Sequence, residues 1–216
     1  MTNIFRNQKE GGEFEVYQIP CLEDSFAYLI SSEKMAIAID PGEGGCVQRE
    51  LEEHELTLEA ILLTHHHRAH VKDAVHLRVK TDATIVGPKQ ENLGFVDQEV
   101  MDEDECLIGN FTVRVLSLPG HTLEHLGYYF PECKALFSGD ALYLGGCGKM
   151  LEGNEVQYFG SMQKIKKLPS DTLIFGGHGR GTQTVRTLEE EMKINPFLQA
   201  TSPEEFLKVR NEMDAM

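Results

Sequence analysis

Leu58-Glu59-Ala60-Ile61-Leu62-Leu63-Thr64-His65-His66-His67-Arg68-Ala69-His70 is the stretch of this 216-residue chain that decides its fold. The mostly apolar residues before Thr64 read as a buried strand, and those after His70 as an amphipathic helix. Side chains at an extended strand end alternate faces, so His65 and His67 point one way and His66 the other. Ala69 and His70 fall in the turn that opens the helix, which lets His70 approach from a second side. Neutral imidazole is the commonest protein ligand for zinc and related divalent ions. Buried histidines rarely cluster this densely for packing alone, and a purification tag would be terminal. The run therefore reads as a metal-ligand cluster.

Three further strand ends carry metal-capable side chains. Phe111-Thr112-Val113-Arg114-Val115-Leu116 leads into Leu118-Pro119-Gly120-His121-Thr122, where Pro-Gly marks a turn presenting His121. Ala135-Leu136-Phe137-Ser138-Gly139 ends in Asp140, and Thr172-Leu173-Ile174-Phe175-Gly176-Gly177 ends in His178. A lone Gly-Asp is usually a turn and a lone histidine usually structural. Four strands in succession delivering such a group at the carboxyl end match the place where open α/β sheets build their sites.

These motifs resemble those of the metallo-β-lactamase superfamily, and within it glyoxalase II (hydroxyacylglutathione hydrolase). The family pattern Thr-His-x-His-x-Asp-His corresponds to Thr64 through His70, and Pro-Gly-His-Thr to Pro119 through Thr122. Gly139-Asp140 matches the bridging-aspartate motif. It is followed by Gly145-Gly146-Cys147-Gly148-Lys149 and Glu152-Gly153, a run typical of glyoxalase II relatives. Gly177-His178 matches the last ligand, and Asn195-Pro196-Phe197-Leu198 resembles a segment near the end of many such chains. The resemblance implies an α/β fold, a four-layer αββα sandwich of two mixed sheets flanked by helices. It also implies one metal held by His65, His67 and His121, and a second held by His70 and His178, with Asp140 between them.

One ligand position departs from the family. The motif aspartate is Ala69 here, and a methyl group cannot ligate a metal. The expectation is one tightly held zinc ion, with the second site weak or empty; iron is an alternative ion. The implied chemistry is metal-assisted hydrolysis of a thioester, in which the ion lowers the pKa of its water from ~16 to roughly 7 and gives a hydroxide nucleophile. Asp140 is the candidate catalytic residue, binding and orienting metal and water. Two other classes stay open: a mononuclear iron persulfide dioxygenase, for which two histidines and Asp140 supply the facial triad, and a catalytically impaired metal-binding protein.

Substrate recognition follows the family less closely. Lys149 matches the glutathione-binding lysine, whereas the family's two tyrosines are replaced by Leu151 and Arg180. The chain also ends 38 residues after His178, short of the family's long helical C-terminus. Lys149 and Arg180 remain the candidate substrate-binding cations, suited to a small anionic thioester such as an S-acyl-glutathione.

Composition narrows the classes. Thirty-five acidic against 20 basic residues give a net charge of −15, which argues against nucleic acid because phosphate binding needs a basic footprint. Acidic runs at 50–55, 97–105 and 189–191 read as solvated faces. Five scattered cysteines without Cys-x-x-Cys spacing argue against a disulfide framework. With no signal-peptide core and no apolar run near ~20 residues, neither export nor a membrane is expected, and the location is cytoplasmic. Residues 1–13 read as a loose leader and 14–216 as a single domain. Strands are expected at 14–19, 25–31, 35–40, 58–64, 83–87, 111–117, 125–131, 135–139 and 172–176. Helices are expected at 44–55, 69–80, 156–168, 184–194 and 202–213, the last capping the sandwich or mediating self-association.

Overall fold

Strict alternation of side chains gives the molecule its layers. In a computed structural model describing residues 2–9, 12–21, 24–42, 44–89, 93–179 and 185–215, seven strands form one sheet: β1 (Asn3–Lys9), β2 (Gly12–Pro20), β3 (Phe26–Ser32), β4 (Met35–Ile39), β5 (Thr57–Leu62), β6 (Thr84–Pro88) and β7 (Gln98–Val100), in chain order. The first four strands pair antiparallel, and β4 to β7 pair parallel. A second sheet holds β8 (Glu105–Ile108), β9 (Phe111–Ser117), β10 (Leu126–Phe130), β11 (Ala135–Gly139), β12 (Leu173–Gly176) and β13 (Arg186–Thr187), ordered β13-β12-β11-β10-β9-β8. Its β11–β12 pair is parallel and the others antiparallel.

Odd and even positions of each strand serve different cores. Tyr28, Ile30, Ile37 and Ile39 of the first sheet meet Phe111, Val113, Val115, Tyr128, Phe130 and Phe137 of the second in one buried cluster between the sheets. Their neighbours Ala27, Leu29, Ala36 and Ala38 face outward and pack with Val47 and Leu51 of α1 (Gly44–Glu53) and with Ala74 and Leu77. The alanines leave room for those helices to lie close. On the far side, Tyr129, Leu136 and Ile174 pack against the helices that follow β11 and β12. The result is the expected four-layer α/β sandwich.

The helical layers differ from the sequence reading in several places. The stretch expected as one helix over 69–80 is split into α2 (Arg68–Val71) and α3 (Ala74–Thr81), with Asp73 at the N-cap position of the second. Helix α4 (Glu155–Ile165) starts at an Asn154/Gln157 capping box, and α5 (Leu188–Ile194) at a Thr187/Glu190 box. Residues 186–187, expected as helix, pair with β12 instead. The chain closes with α6 (Pro196–Gln199) and α7 (Pro203–Asp214), the latter capped by Ser202. Among the described residues no helix is long and apolar enough to cross a membrane.

Other differences lie at sheet edges. Residues 3–9, within the stretch expected as a loose leader, form β1 and pair with β2 along their length. An edge strand needs only one half-covered face, so polar residues hide it from a hydrophobic-pattern reading. Its Phe5 ring nonetheless lies 5.5 Å from Phe175. Strands β7 and β8 fall partly inside the acidic stretch 97–105, read as a solvated face, and are hidden for the same reason.

Phe137 joins the sheets at the centre. Its ring stacks on Phe175 at 5.1 Å and meets Tyr28 at 5.3 Å, with 1% of its surface exposed. Phe137→Ala should lower unfolding free energy by about 3–5 kcal/mol in urea titrations. A loss below about 1 kcal/mol would show that the inter-sheet core does not depend on this ring.

Candidate metal centre

Each candidate ligand leaves a strand end, and the two sheets are tied together where those ends meet. The Leu126 amide donates to Thr64 O at 2.8 Å and the Phe26 amide to Gly177 O at 2.8 Å. The buried Tyr28 and Tyr128 hydroxyls donate across the sheets to Gly176 O and Leu63 O, each at 2.6 Å. These bonds fix the backbone beside His65 and His178.

The hydrogen bonds behind the imidazoles decide which nitrogen faces inward. Asp40, at the end of β4, accepts from the Thr64 amide at 2.8 Å and from the Thr64 hydroxyl at 2.6 Å. With its proton so engaged, Thr64 Oγ1 accepts from His65 Nδ1–H at 3.0 Å, leaving His65 Nε2 as a bare lone pair. His121 Nδ1–H donates to Lys149 O at 2.7 Å, which turns its Nε2 inward likewise. His70 Nδ1–H donates to Asp40 Oδ2 at 2.9 Å. Such outer partners fix tautomer and ring orientation in metal sites.

Asp140 is where these lone pairs converge. Its Oδ2 lies 3.2 Å from His121 Nε2, 3.5 Å from His178 Nε2 and 4.0 Å from His65 Nε2; its Oδ1 lies 3.3 Å from His70 Nε2. His67 Nδ1 faces His121 Nε2 at 2.9 Å. Two donor sets share the carboxylate: His65, His67, His121 with Asp140, and His70, His178 with Asp140, the donor atoms of each within 4.8 Å of one another. His65 Nε2, His70 Nε2 and Asp140 Oδ1 are buried with no hydrogen-bond partner. Buried polar atoms left unpaired in a group are costly, and a shared cation is the ligand that would satisfy all three. The donor set fits a divalent metal.

The electrostatics agree. Burial pushes the His65 and His125 imidazoles far below their ordinary range, and burial followed by the His121 charge pushes His67 down to about 4. Burial also lowers His121. For His70 burial works the same way but is outweighed by the carboxylates of Asp40 and Asp140, which raise it to about 10. Burial works against the Asp140 charge, yet the neighbouring imidazoles, His70 foremost and then His178 and His121, hold it below the usual carboxylate range. Without metal, a His70 imidazolium lies between two carboxylates, and an ion entering the second set must displace that proton.

All six candidate ligands thus come together. His66 turns outward and lies 3.3 Å from Glu152, and Arg68 is exposed. Lys149 is exposed at the rim of a cavity of about 490 Å³ lined by His121, Asp140, Tyr143, Lys149, His178 and Arg210. Arg180, expected beside it, lies outside the described residues. The sequence reading missed Asp40 and His125. Asp40 ends the apolar strand Ala36-Ile37-Ala38-Ile39, so the strand-end rule that found Asp140 could have found it. His125 is fully buried, stacks on His65 at 4.8 Å and accepts the Asp140 amide proton at 3.1 Å; nothing local in the sequence separates it from a surface histidine.

Residues 22–178 match the family model described as the Metallo-beta-lactamase superfamily. The hydroxyacylglutathione hydrolase of Bartonella henselae is 39% identical over 167 residues, which cover 76% of this chain and 66% of that protein. The chain therefore spans just under two thirds of that relative's length. The hydroxyacylglutathione hydrolase of Vibrio campbellii is 35% identical over 234 residues, covering 93% and 92% of the two chains. Among solved structures, ETHE1 from Myxococcus xanthus superposes with a TM-score of 0.80 at 29% identity, covering 98% of this chain and 91% of that one. The BLEG-1 B3 metallo-beta-lactamase gives 0.78 at 28% identity, covering 86% and 100%.

The geometry generates two predictions. A Cβ on Gly177 would lie 2.3 Å from Asp140 Oδ1 and 2.8 Å from His70 Cε1, so Gly177→Ala should lower bound metal per chain, as read by elemental analysis; unchanged stoichiometry would contradict the proposed convergence. The second concerns metal-free protein. A raised His70 stabilises the fold fully below its unfolded pKa of 6.5, and that contribution is lost as pH rises toward about 10. Depressed His65 and His67 favour the fold above 6.5, and their contribution is lost as pH falls, for His67 toward about 4. Melting temperature should therefore decline on both sides of pH 6.5, and Asp40→Asn should flatten the alkaline limb. An alkaline limb unaffected by that substitution would refute the His70 assignment.

Proposed function

The chain belongs to the metallo-beta-lactamase superfamily, and we propose that it is a metal-dependent hydrolase of thioesters, of the hydroxyacylglutathione hydrolase type. The observation that carries this reading is the convergence of buried, unpaired His65 Nε2, His70 Nε2 and Asp140 Oδ1, behind a cavity that Asp140, His121 and His178 line. His65, His67, His121 and Asp140 hold one ion, zinc by the chemistry of three imidazoles and a carboxylate. His70, Asp140 and His178 form a weaker second set, one carboxylate short because Ala69 offers none. A bound divalent ion supplies an acidified water as nucleophile and polarises the carbonyl under attack.

The chain's own groups do the rest. Asp140, kept anionic by the surrounding imidazoles, orients the attacking water by accepting its hydrogen bond. Burial keeps His65 and His67 neutral and able to ligate at neutral pH. Lys149 at the cavity rim suits an anionic conjugate such as an S-acyl-glutathione. A thiolate leaves readily, so the reaction needs no strong general acid. The five free cysteines agree with a reducing, cytoplasmic location. A second reading, a mononuclear iron dioxygenase acting on a persulfide, is favoured by the same feature, a first donor set complete without the second.

Metal analysis with turnover separates these readings. Zinc with thiol release from an S-acyl-glutathione supports hydrolysis; iron with oxygen uptake supports the oxygenase; metal with neither marks a binding protein without that activity. Ala69→Asp should raise bound metal toward two ions per chain and thioester turnover by about tenfold or more. If neither rises, the residue at position 69 is not what limits the second set.

A further inference from the structure

The terminal helix reaches the metal centre through one buried side chain. Arg210 of α7 is only 6% exposed, and its guanidinium lies 4.4 Å from the centre of the Phe197 ring. Its Nη2 donates to Gly148 O at 2.8 Å and to Cys147 O at 3.2 Å, and approaches Cys147 Sγ. Burying a guanidinium is costly unless its protons find acceptors, and here these acceptors belong to the glycine-rich loop beside the donor sets.

That loop is held from both sides. The Gly148 amide donates to Asp140 O at 2.9 Å. The buried Tyr158 hydroxyl bridges Asp140 O and Gly148 O, each at 3.0 Å. The next carbonyl, Lys149 O, accepts the His121 Nδ1 proton. Gly148 is packed so closely that a Cβ would lie 2.3 Å from Asp140 O and 3.0 Å from His121 Nδ1. Arg210 thus lies behind a two-residue backbone segment whose front edge touches both Asp140 and His121. Helix α7 is also anchored by Phe206, packed on Tyr158 at 5.1 Å and on Phe197 at 5.0 Å.

We infer that Arg210 is a positioning residue of the metal centre, holding the Cys147 and Gly148 carbonyls so that Lys149 O keeps His121 in the tautomer and orientation that aim its Nε2 at Asp140. The inference rests on the reading of His121 as a metal ligand. A single guanidinium nitrogen reaches both carbonyls while the planar group lies over the Phe197 ring, a stacked arrangement that an ammonium point charge does not reproduce. The residue is a link from the C-terminal helix to the ligand shell, through the loop that also carries Lys149.

The test uses the full chain. Arg210→Met should release zinc to a chelator about tenfold faster than wild type, the usual size of an outer-shell loss. In metal-free protein, the ¹⁵N shifts of His121 should move from the Nδ1–H tautomer toward a mixture. Phe111→Leu, in the inter-sheet core and away from the loop and α7, controls for stability: it should lower the melting temperature yet leave zinc release within about twofold of wild type. If Arg210→Met leaves both readouts unchanged, or if Phe111→Leu speeds release as much for the same loss of melting temperature, the assignment is overturned. Should Arg210→Met fail to fold, Arg210→Lys is read on the same scale: a smaller change in the same direction is expected, and no change overturns the assignment. Wild-type protein that takes up no zinc would sink the metal reading, while the His121 tautomer would still decide whether Arg210 positions that ring.

Discussion

A buried carboxylate facing four imidazoles sets the terms for everything around it. Asp140 is 5% exposed, and its two oxygens lie 3.2 to 4.0 Å from nitrogens of His65, His70, His121 and His178. Such a charge is costly to bury unless it is paired. Without metal, a proton on His70 supplies the partner; a divalent ion supplies a better one, because it also satisfies His65 Nε2. The site is therefore built to be occupied by positive charge in one form or the other, and the pH behaviour of the metal-free chain follows from that exchange.

Placing Asp140 there requires two sheets to end at the same point. His65 and His67 follow β5 of one sheet, while His121, Asp140 and His178 follow β9, β11 and β12 of the other. Face-to-face packing alone would leave those ends free to slide, since hydrophobic contact is not directional. The amide of Leu126 on Thr64 O and that of Phe26 on Gly177 O remove this freedom. Asp40 contributes from a third direction, fixing both Thr64 and His70.

The sequence told most where a strand ended in a chemically distinct residue. The four-layer architecture and the clustering of six candidate residues were legible because apolar runs stopping at His65, His121, Asp140 and His178 combine a strong period with an unusual side chain. What was illegible shares a different cause. Strands β1 and β7 lie at the edges of their sheet and β8 at the edge of the other, so they carry polar residues that no burial pattern betrays. The break between α2 and α3 depends on where His70 must point, a tertiary demand. His125 and Arg210 act on residues distant in the chain, Arg210 across more than sixty positions. Periodicity reports which face is buried, and says nothing about which buried polar group meets which.

Charge balance gives Ala69 its weight. On the proposed reading, one divalent ion beside Asp140 balances the charges of Asp140 and Asp40, and the formal charge of this buried region is zero once His70 gives up its proton. A second ion would leave two uncompensated positive charges in surroundings where burial already drives histidines far below their ordinary range. An aspartate at position 69 would remove half of that excess and add a ligand atom to the weaker set. The second set therefore competes with a proton on His70, already held by two carboxylates. On that reading the residue at 69 decides for the second set between protonation and metal binding, whereas the first set, with three imidazoles and Asp140, does not depend on it.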